Sequence, residues 1–189
     1  MANRTATEAK TIHGTNPQFL IEKILRTRIH DSLYWKEHCF ALTAESIIDK
    51  AVALTSIGGQ YGNQKPTEFI CLALKMLQLQ PEKDIVKLYI QNEDYKYLRA
   101  LGAFYLRLTG TSLEIYKYLE PLLGDLRKLR RRNISGGFEL THVDEFVDEL
   151  LHSDRVCDTI LPRITKRHIM EENGDIEPRI SPLEEDLEE

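Results

Sequence analysis

A short run of basic residues is the feature of the sequence best suited to binding chemistry. It comprises Arg127, Lys128, Arg130, Arg131 and Arg132. Such cations bind the phosphates of RNA or the carboxylates of an acidic protein segment. They also offset the helix dipole when they lie in the last turn of a helix, and the spacing of the preceding leucines predicts that position. The sequence alone leaves both explanations open.

Four carboxylates recur at helical spacing shortly after this basic run, at Asp144, Glu145, Asp148 and Glu149. Thr141 is predicted to cap the helix that carries them, and the apolar residues of this helix fall on its opposite face. Like charges four residues apart destabilise a helix by a few tenths of a kcal/mol per pair. The acidic face is therefore either simply solvated or a binding surface for a basic segment of a partner protein.

The stretch from residue 95 to residue 118 is rich in aromatic side chains. We expect most of these side chains to lie in the core or half-buried beside it. Tyrosine is also enriched where proteins contact one another, because its ring is apolar and its hydroxyl is polar. Tyr95 and Tyr116 are therefore candidate contacts for a partner protein.

The sequence contains no pattern that indicates catalysis or metal binding. The glycine-rich segment 56–63 lacks the Gly-Lys-Ser/Thr ending of a phosphate-binding loop and follows no predicted strand, so a turn between helices is the better interpretation. His38 beside Cys39, and His152 near Cys157, do not have the spacing of zinc ligands. We therefore predict no enzyme activity, no catalytic residue, no cofactor and no metal ion.

These candidate residues belong to a chain in which helix signals dominate. Pro66 opens a nearly all-apolar segment that reaches Leu79, which is typical of a central, buried helix. Leucines over residues 119–129 continue at helical spacing, with a kink or restart expected at Pro121. Residues 133–140 predict a small β-hairpin. The expected fold class is all-α, a single compact domain of about eight helices with one hairpin.

Length and composition fit one intracellular globular domain with an acidic end. The chain has 189 residues and a net charge of −5, and its three scattered cysteines do not suggest a disulfide framework. Residues 171–189 contain nine acidic residues and one arginine, which leaves a net charge of +3 for residues 1–170. We predict a helical domain over 1–170 and a disordered acidic tail over 171–189. We find no secretory signal and no membrane span in the sequence.

Several long segments resemble the pre-mRNA-splicing factor 38 family of spliceosomal proteins. They are IHGTNPQFLIEKILRTRI (12–29), YWKEHCFALTAE (34–45), KPTEFICLALKMLQLQPEKDI (65–85), NEDYKYLRALGAFYLRLTGT (92–111), YKYLEPLLGDLRKL (116–129) and HVDEFVDELLHSDRVCDTILPR (142–163). They cover nearly all of residues 10–170 in order, which is far more specific than a short motif. Animal members of that family continue past the acidic stretch into an arginine/serine-rich tail that this sequence does not include.

The resemblance implies a non-enzymatic spliceosomal scaffold in the nucleus that is needed for spliceosome activation in pre-mRNA splicing. The partners it implies are a zinc-finger splicing factor, a microfibrillar-associated-protein relative and the tri-snRNP, a small nuclear ribonucleoprotein particle. We expect a monomer outside that assembly. The family has no catalytic motif, so the resemblance assigns no partner to an individual residue. The alternatives are a direct RNA-binding module that uses the 127–132 basic run and a nucleotide-using enzyme centred on 57–63.

Overall fold

The computed structural model describes residues 3–184, and helices make up most of its regular structure. The α-helices are α1 (Lys23–Asp31), α2 (Ile47–Val52), α3 (Glu68–Leu79), α4 (Lys83–Gln91), α5 (Lys96–Thr109), α6 (Ser112–Leu119), α7 (Val143–His152) and α8 (Arg167–Glu172). The antiparallel strand pairs are β1 (Gln60–Tyr61) with β2 (Lys65–Pro66), β3 (Lys128–Arg132) with β4 (Phe138–His142), and β5 (Arg155–Val156) with β6 (Thr159–Ile160). Short 3-10 turns cover Pro17–Leu20 and Glu120–Gly124, and a π-helical turn covers Trp35–Cys39. The predicted fold class, mostly helical with a small hairpin, is confirmed.

Helix α3 lies at the centre of the core because its sequence is apolar on nearly every side. Ten of its twelve residues are buried. The helix begins after Thr67, whose hydroxyl accepts a hydrogen bond of 3.3 Å from the backbone N–H of Ile70. The ring of Phe69 contacts Phe104 of α5 and Phe146 of α7, with ring centroids 5.6 and 6.1 Å apart. Helix α3 thus connects the two helices that pack against it.

The predicted helical continuation from Leu119 to Leu129 is wrong beyond Gly124. Helix α6 ends at Leu119, and the 3-10 turn that follows it ends at Gly124. Pro121 lacks a backbone N–H and its ring clashes with the carbonyl four residues earlier, so the α-helix cannot continue through it. The chain then extends into β3, where Leu129 is fully buried. The leucines that share a helical spacing therefore belong to different successive elements.

Strand β3 is hydrogen-bonded along both of its edges, to β4 on one side and to the single residue Ile57 on the other. It pairs with β4 over five residues. Along its other edge, the N–H of Ile57 donates to the carbonyl of Arg130 (2.8 Å), and the N–H of Arg132 donates to the carbonyl of Ile57 (2.9 Å). The hairpin predicted at 133–140 is confirmed, and its strands extend beyond that range because the turn occupies only 133–137.

Helix α7 begins one residue later than the predicted cap at Thr141 requires. His142 occupies the N-cap position, and the helix runs from Val143. The carboxylate of Glu145 accepts hydrogen bonds from the backbone N–H of His142 (2.9 Å) and from the hydroxyl of Thr141 (3.0 Å). The predicted apolar face of this helix is buried as expected, at Val143, Phe146, Val147, Leu150 and Leu151.

The last helix, α8, crosses the predicted domain boundary at residue 170. Met170 is buried and Ile176 packs against the core. Arg167 donates to the carboxylate of Glu120 at 2.5 Å, which attaches α8 to the turn after α6. Most side chains over 177–184 are exposed, and residues 185–189 lie outside the described part of the chain. The division into a domain over 1–170 and a tail over 171–189 stays a prediction.

Candidate interaction surfaces

The strand conformation of β3 divides the basic run between two faces of the hairpin. Successive side chains of a strand point to opposite faces, so Leu129 and Arg131 face the body of the protein. Lys128 and Arg130 are exposed on the opposite face, and Arg132, which is half-buried, lies on that face with them. The run does not lie at a helix end, so dipole compensation does not explain it. The sequence missed this arrangement because the strand depends on pairing with a segment ten residues further along the chain.

Arg131 joins the hairpin to helix α7 through Glu149. Its two terminal nitrogens each donate a hydrogen bond of 2.8 Å to a different carboxylate oxygen of Glu149, the bidentate geometry that arginine forms best. Burial lowers the pKa of Arg131, but the hydrogen bonds and the negative charge of Glu149 outweigh this effect and raise it overall. Two residues predicted to contact partners therefore bind each other.

Arg127 is held by Asp125 rather than presented to a partner. Asp125 accepts hydrogen bonds from the side chain of Arg127 (2.6 and 2.8 Å) and from Arg99 of α5 (2.8 Å). Burial raises the pKa of Asp125, but these hydrogen bonds prevail and lower it to about 2. Arg127 also donates to the backbone carbonyl of Glu93. This cluster fastens the start of β3 to helix α5.

The two arginines on the outward face of β3 lie over aromatic rings. The guanidinium carbon of Arg132 lies 4.2 Å from the ring centroid of Tyr61 and 4.5 Å from that of Phe138. The guanidinium carbon of Arg130 lies 4.0 Å from the same Phe138 ring. Lys128 is exposed beside them. Tyr61 and Phe138 are not predicted from the sequence, because they meet these arginines only when β3 is paired with β4 and the β1–β2 hairpin packs beside it.

The four acidic residues of α7 do not form one free surface. The Glu145 carboxylate accepts a hydrogen bond from the backbone N–H of His142 at the start of α7. The hydrogen bond with the His142 imidazole, together with those from Thr141 and the backbone, lowers the pKa of Glu145. Asp148 lies 3.1 Å from the ring of His152 and remains well exposed. Asp144 is half-buried, and one carboxylate oxygen has no hydrogen-bond partner among the described residues. With Glu149 bound to Arg131, Asp148 is the carboxylate most available to a partner.

The structure separates the two candidate tyrosines. Tyr95 precedes helix α5 and is 47% exposed. Tyr116 is only 7% exposed, and its hydroxyl donates a hydrogen bond of 2.9 Å to the backbone carbonyl of Thr165. Burial raises the pKa of Tyr116. Tyr95 is therefore accessible to a partner, whereas Tyr116 holds the segment before α8 against α6.

Three clefts on the surface offer concave sites for side chains of a partner. One of about 800 Å³ lies between α4, α5 and the turn after α6, and another of about 620 Å³ lies between the N-terminal segment and helices α4 to α6. The ring of Tyr118 lines both of these clefts. A third of about 770 Å³ includes Asp148, together with His152 and Arg167. The first two clefts therefore adjoin at Tyr118, whereas the third shares no lining residue with either of them.

The glycine-rich segment 56–63 packs against another part of the chain and does not form a phosphate-binding loop. Gly59 packs against the turn formed by Cys157 and Asp158, so closely that a Cβ atom on Gly59 would lie 2.4 Å from the Asp158 carboxylate. The backbone N–H of Gln60 also donates to this carboxylate, at 2.8 Å.

Within residues 3–184 no group of three histidine, cysteine or acidic side chains is placed to hold a metal ion. Burial raises the pKa of the Cys39 thiol to about 12, which leaves it a poor nucleophile.

Comparison with known proteins identifies the fold and the family together. A model of the PRP38 family matches residues 10–174. The chain belongs to the PRP38 family. Pre-mRNA-splicing factor 38 of Drosophila melanogaster is 67% identical to this PRP38-family chain, and Pre-mRNA-splicing factor 38A of Homo sapiens is 63% identical. Both matches cover the whole chain, which spans 58% and 61% of the length of these relatives.

A solved structure supports the same family assignment. This PRP38-family chain superposes on a chain of the Snu23–Prp38–MFAP1(217–258) complex of Chaetomium thermophilum with a TM-score of 0.89 and 47% sequence identity. The match covers 95% of each chain. In the part of the chain that the structure describes, no helix is both long enough and apolar enough to span a membrane. The resemblance inferred from the sequence is confirmed.

Proposed function

We infer that this protein is a non-enzymatic scaffold of the spliceosome that binds other splicing proteins on separate surfaces. The observation that carries the proposal is its 47% identity, over 95% of both chains, with a chain of a complex that contains Prp38, Snu23 and MFAP1. We propose that the equivalents of Snu23, the zinc-finger factor, and of MFAP1 bind this chain in the nucleus. We further propose that their assembly is needed for spliceosome activation, as part of the tri-snRNP-containing particle.

The chemistry of the side chains supports a binding role rather than catalysis. Asp125 and Glu149 are engaged by arginines, so neither is poised to accept a proton from a substrate. The thiols of Cys39 and Cys71 are buried, and burial raises the pKa of both. The ion pairs of Asp125 and Glu149 thus hold elements of the fold together.

The accessible residues suggest where partners bind. Asp148 lines a cleft of about 770 Å³ with basic and acidic neighbours, and Tyr95 is exposed at the start of α5. A helical or extended segment with basic residues would complement Asp148 and the exposed part of Glu145. We propose this side of α7 as one partner surface and the region around Tyr95 as a second one.

The test is reconstitution with fragments of the two partners from the same organism. The protein alone should elute as a monomer of 21.9 kDa, and light scattering should then detect a 1:1:1 complex with the Snu23 and MFAP1 fragments. Titration calorimetry should give the same affinity for one fragment whether or not the other is already bound. If neither fragment binds, the scaffold proposal is wrong; if each fragment excludes the other, the proposal of separate surfaces is wrong.

A further inference from the structure

The outer face of the β3–β4 hairpin carries three cations that form no ion pair among residues 3–184. They are Lys128, Arg130 and Arg132. The other two members of the basic run are both paired with carboxylates. Unpaired cations repel one another, so a row of them is typical of a surface that binds an anionic partner. We call this surface the outer hairpin face, made of these three residues with Tyr61 and Phe138.

Aromatic rings hold the two arginines of the outer hairpin face in place. The guanidinium of Arg132 contacts both Tyr61 and Phe138, and that of Arg130 contacts Phe138 from 4.0 Å. A guanidinium that stacks through its plane keeps its N–H groups free at its edge. The Nε of Arg132 is buried and has no hydrogen-bond partner in the described structure, so the terminal nitrogens are the groups of this side chain that could reach an anion. Because the side chains are already ordered, binding an anion costs less entropy.

The backbone beneath these side chains is fixed on both edges. Strand β3 pairs with β4 and with Ile57, and the N–H of Gly62 donates to the carbonyl of Ile134 at 2.8 Å. The last contact ties the β1–β2 hairpin, which carries Tyr61, to the turn of the β3–β4 hairpin. The outer hairpin face is therefore a platform rather than a flexible basic segment.

The spacing of the cations favours a repeating polyanion. Alternate residues of a strand lie about 7 Å apart, so the three cations form a row of roughly 13 Å. A regular row suits the successive phosphates of a nucleic acid strand, whereas one phosphorylated side chain is bound by cations that converge on a point. Exposed apolar and aromatic side chains lie in the same hairpin, with Phe138 43% and Leu140 63% accessible. Such groups can contact unpaired bases, whereas a peptide made only of acidic residues offers them no apolar partner.

We propose that the outer hairpin face binds single-stranded RNA, with Arg130 and Arg132 on successive phosphates and the adjoining aromatic and apolar groups against bases. This activity goes beyond the binding of splicing proteins and does not depend on it. It also differs from an RNA site made of the whole 127–132 run, because two of those five basic residues are engaged inside the protein.

Fluorescence anisotropy with a labelled uridine-only RNA of about twelve nucleotides, within the range of single-strand site sizes, tests the proposal. The double variant Arg130→Gln with Arg132→Gln should weaken binding at least tenfold at about 50 mM salt. It should also reduce the slope of log affinity against log salt by about 1.4, since each lost phosphate contact contributes about 0.7 for a single strand. Phe138→Leu should weaken binding several-fold and leave the slope unchanged.

Lys23→Gln with Lys36→Gln is the matched control, because it removes two exposed positive charges outside the hairpin. This control should bind RNA like the wild-type protein, and circular dichroism should show that all variants fold. The inference is overturned if the wild-type protein does not bind the RNA at low salt, or if the control loses as much affinity as the hairpin variant. It is also overturned if a polyglutamate peptide of equal length competes as well as RNA does.

Binding of the Snu23 and MFAP1 fragments to the same variants separates this inference from the scaffold function. The hairpin variant should keep its affinity for both fragments while it loses RNA. If it loses a fragment and keeps RNA, the outer hairpin face is a protein-binding surface and the RNA inference is wrong, whereas the scaffold function stands.

Discussion

Arg131 and Glu149, which are 18 positions apart in the sequence, form a two-pronged ion pair with both hydrogen bonds at 2.8 Å. This pair fastens the inner face of the β3–β4 hairpin to helix α7. Its side chains are 27% and 36% exposed, so water screens the charges partly but not completely. The pair is therefore expected to stabilise the packing of two elements that the local sequence does not connect.

A double-mutant cycle measures that contribution. Arg131→Ala and Glu149→Ala should each lower the free energy of unfolding, and the coupling between them should be about 1 kcal/mol, the upper end for partly exposed pairs with good geometry. Lys87 and Asp84 form a more exposed ion pair within α4 and serve as the control, with a coupling of roughly zero. Chemical denaturation of the single and double variants gives both values. Equal coupling energies for the two ion pairs would contradict a structural role for Arg131 and Glu149.

Asp125 makes stability depend on pH in the acidic range. Its folded-state pKa of about 2 lies below the ordinary value of 3.8, so ionised Asp125 stabilises the fold above the unfolded pKa. This contribution is lost as pH falls from about 4 to about 2, and the shift corresponds to roughly 2 kcal/mol. The wild-type protein should therefore be more stable than Asp125→Asn at neutral pH, and this advantage should shrink over that pH range. An advantage that stays constant would show that the pKa is not lowered.

Gly59 allows the close contact between the loop before β1 and the Cys157–Asp158 turn. A methyl group on Gly59 would lie 2.4 Å from both the Asp158 carboxylate and the carbonyl of Cys157, so the two segments would have to separate. Gly59→Ala should therefore lower stability by about 1–3 kcal/mol. Gly124→Ala is the matched control, since nothing lies within 4 Å of its added methyl group. Thermal denaturation should separate the two variants clearly, and similar melting temperatures would contradict this account.

The elements that the sequence predicts well are those whose apolar pattern is repeated over several turns. Helix α3 is apolar on nearly every side and α7 is apolar on one side, and both are packed as their patterns predict. The capping box of α6 is also local, because Thr111 and Glu114, which form it, lie within one turn. Local patterns of this kind fix local structure without information from distant residues.

The features that the sequence could not predict depend on pairing between distant segments. Strand β3 has a single apolar residue, Leu129, so its conformation is decided by hydrogen bonds to β4 and to Ile57. The position of Tyr116 also depends on a distant segment, because its hydroxyl donates a hydrogen bond to the backbone carbonyl of Thr165, 49 positions further along the chain. A tyrosine in a partner surface and a tyrosine that holds the fold together have the same local sequence pattern.

The acidic side of α7 provides a test in which neighbouring residues have opposite roles. Asp148 is exposed and lies in a cleft, whereas Glu149 is bound to Arg131. Asp148→Lys should leave stability nearly unchanged, because surface substitutions usually change it by less than about 0.5 kcal/mol. It should slow the association of a basic partner fragment, and the effect should weaken as salt screens the charges.

Glu149→Lys is the comparison, because it places a second positive charge beside Arg131. This variant should be less stable than the wild-type protein, and any loss of partner binding should follow the loss of folded protein. Surface-based kinetics with the Snu23 and MFAP1 fragments at two salt concentrations measures the association rates, and chemical denaturation measures stability. If both fragments associate with Asp148→Lys at the wild-type rate, this side of α7 is a solvated surface, since a reversed charge at a docking site must alter the encounter with a charged partner.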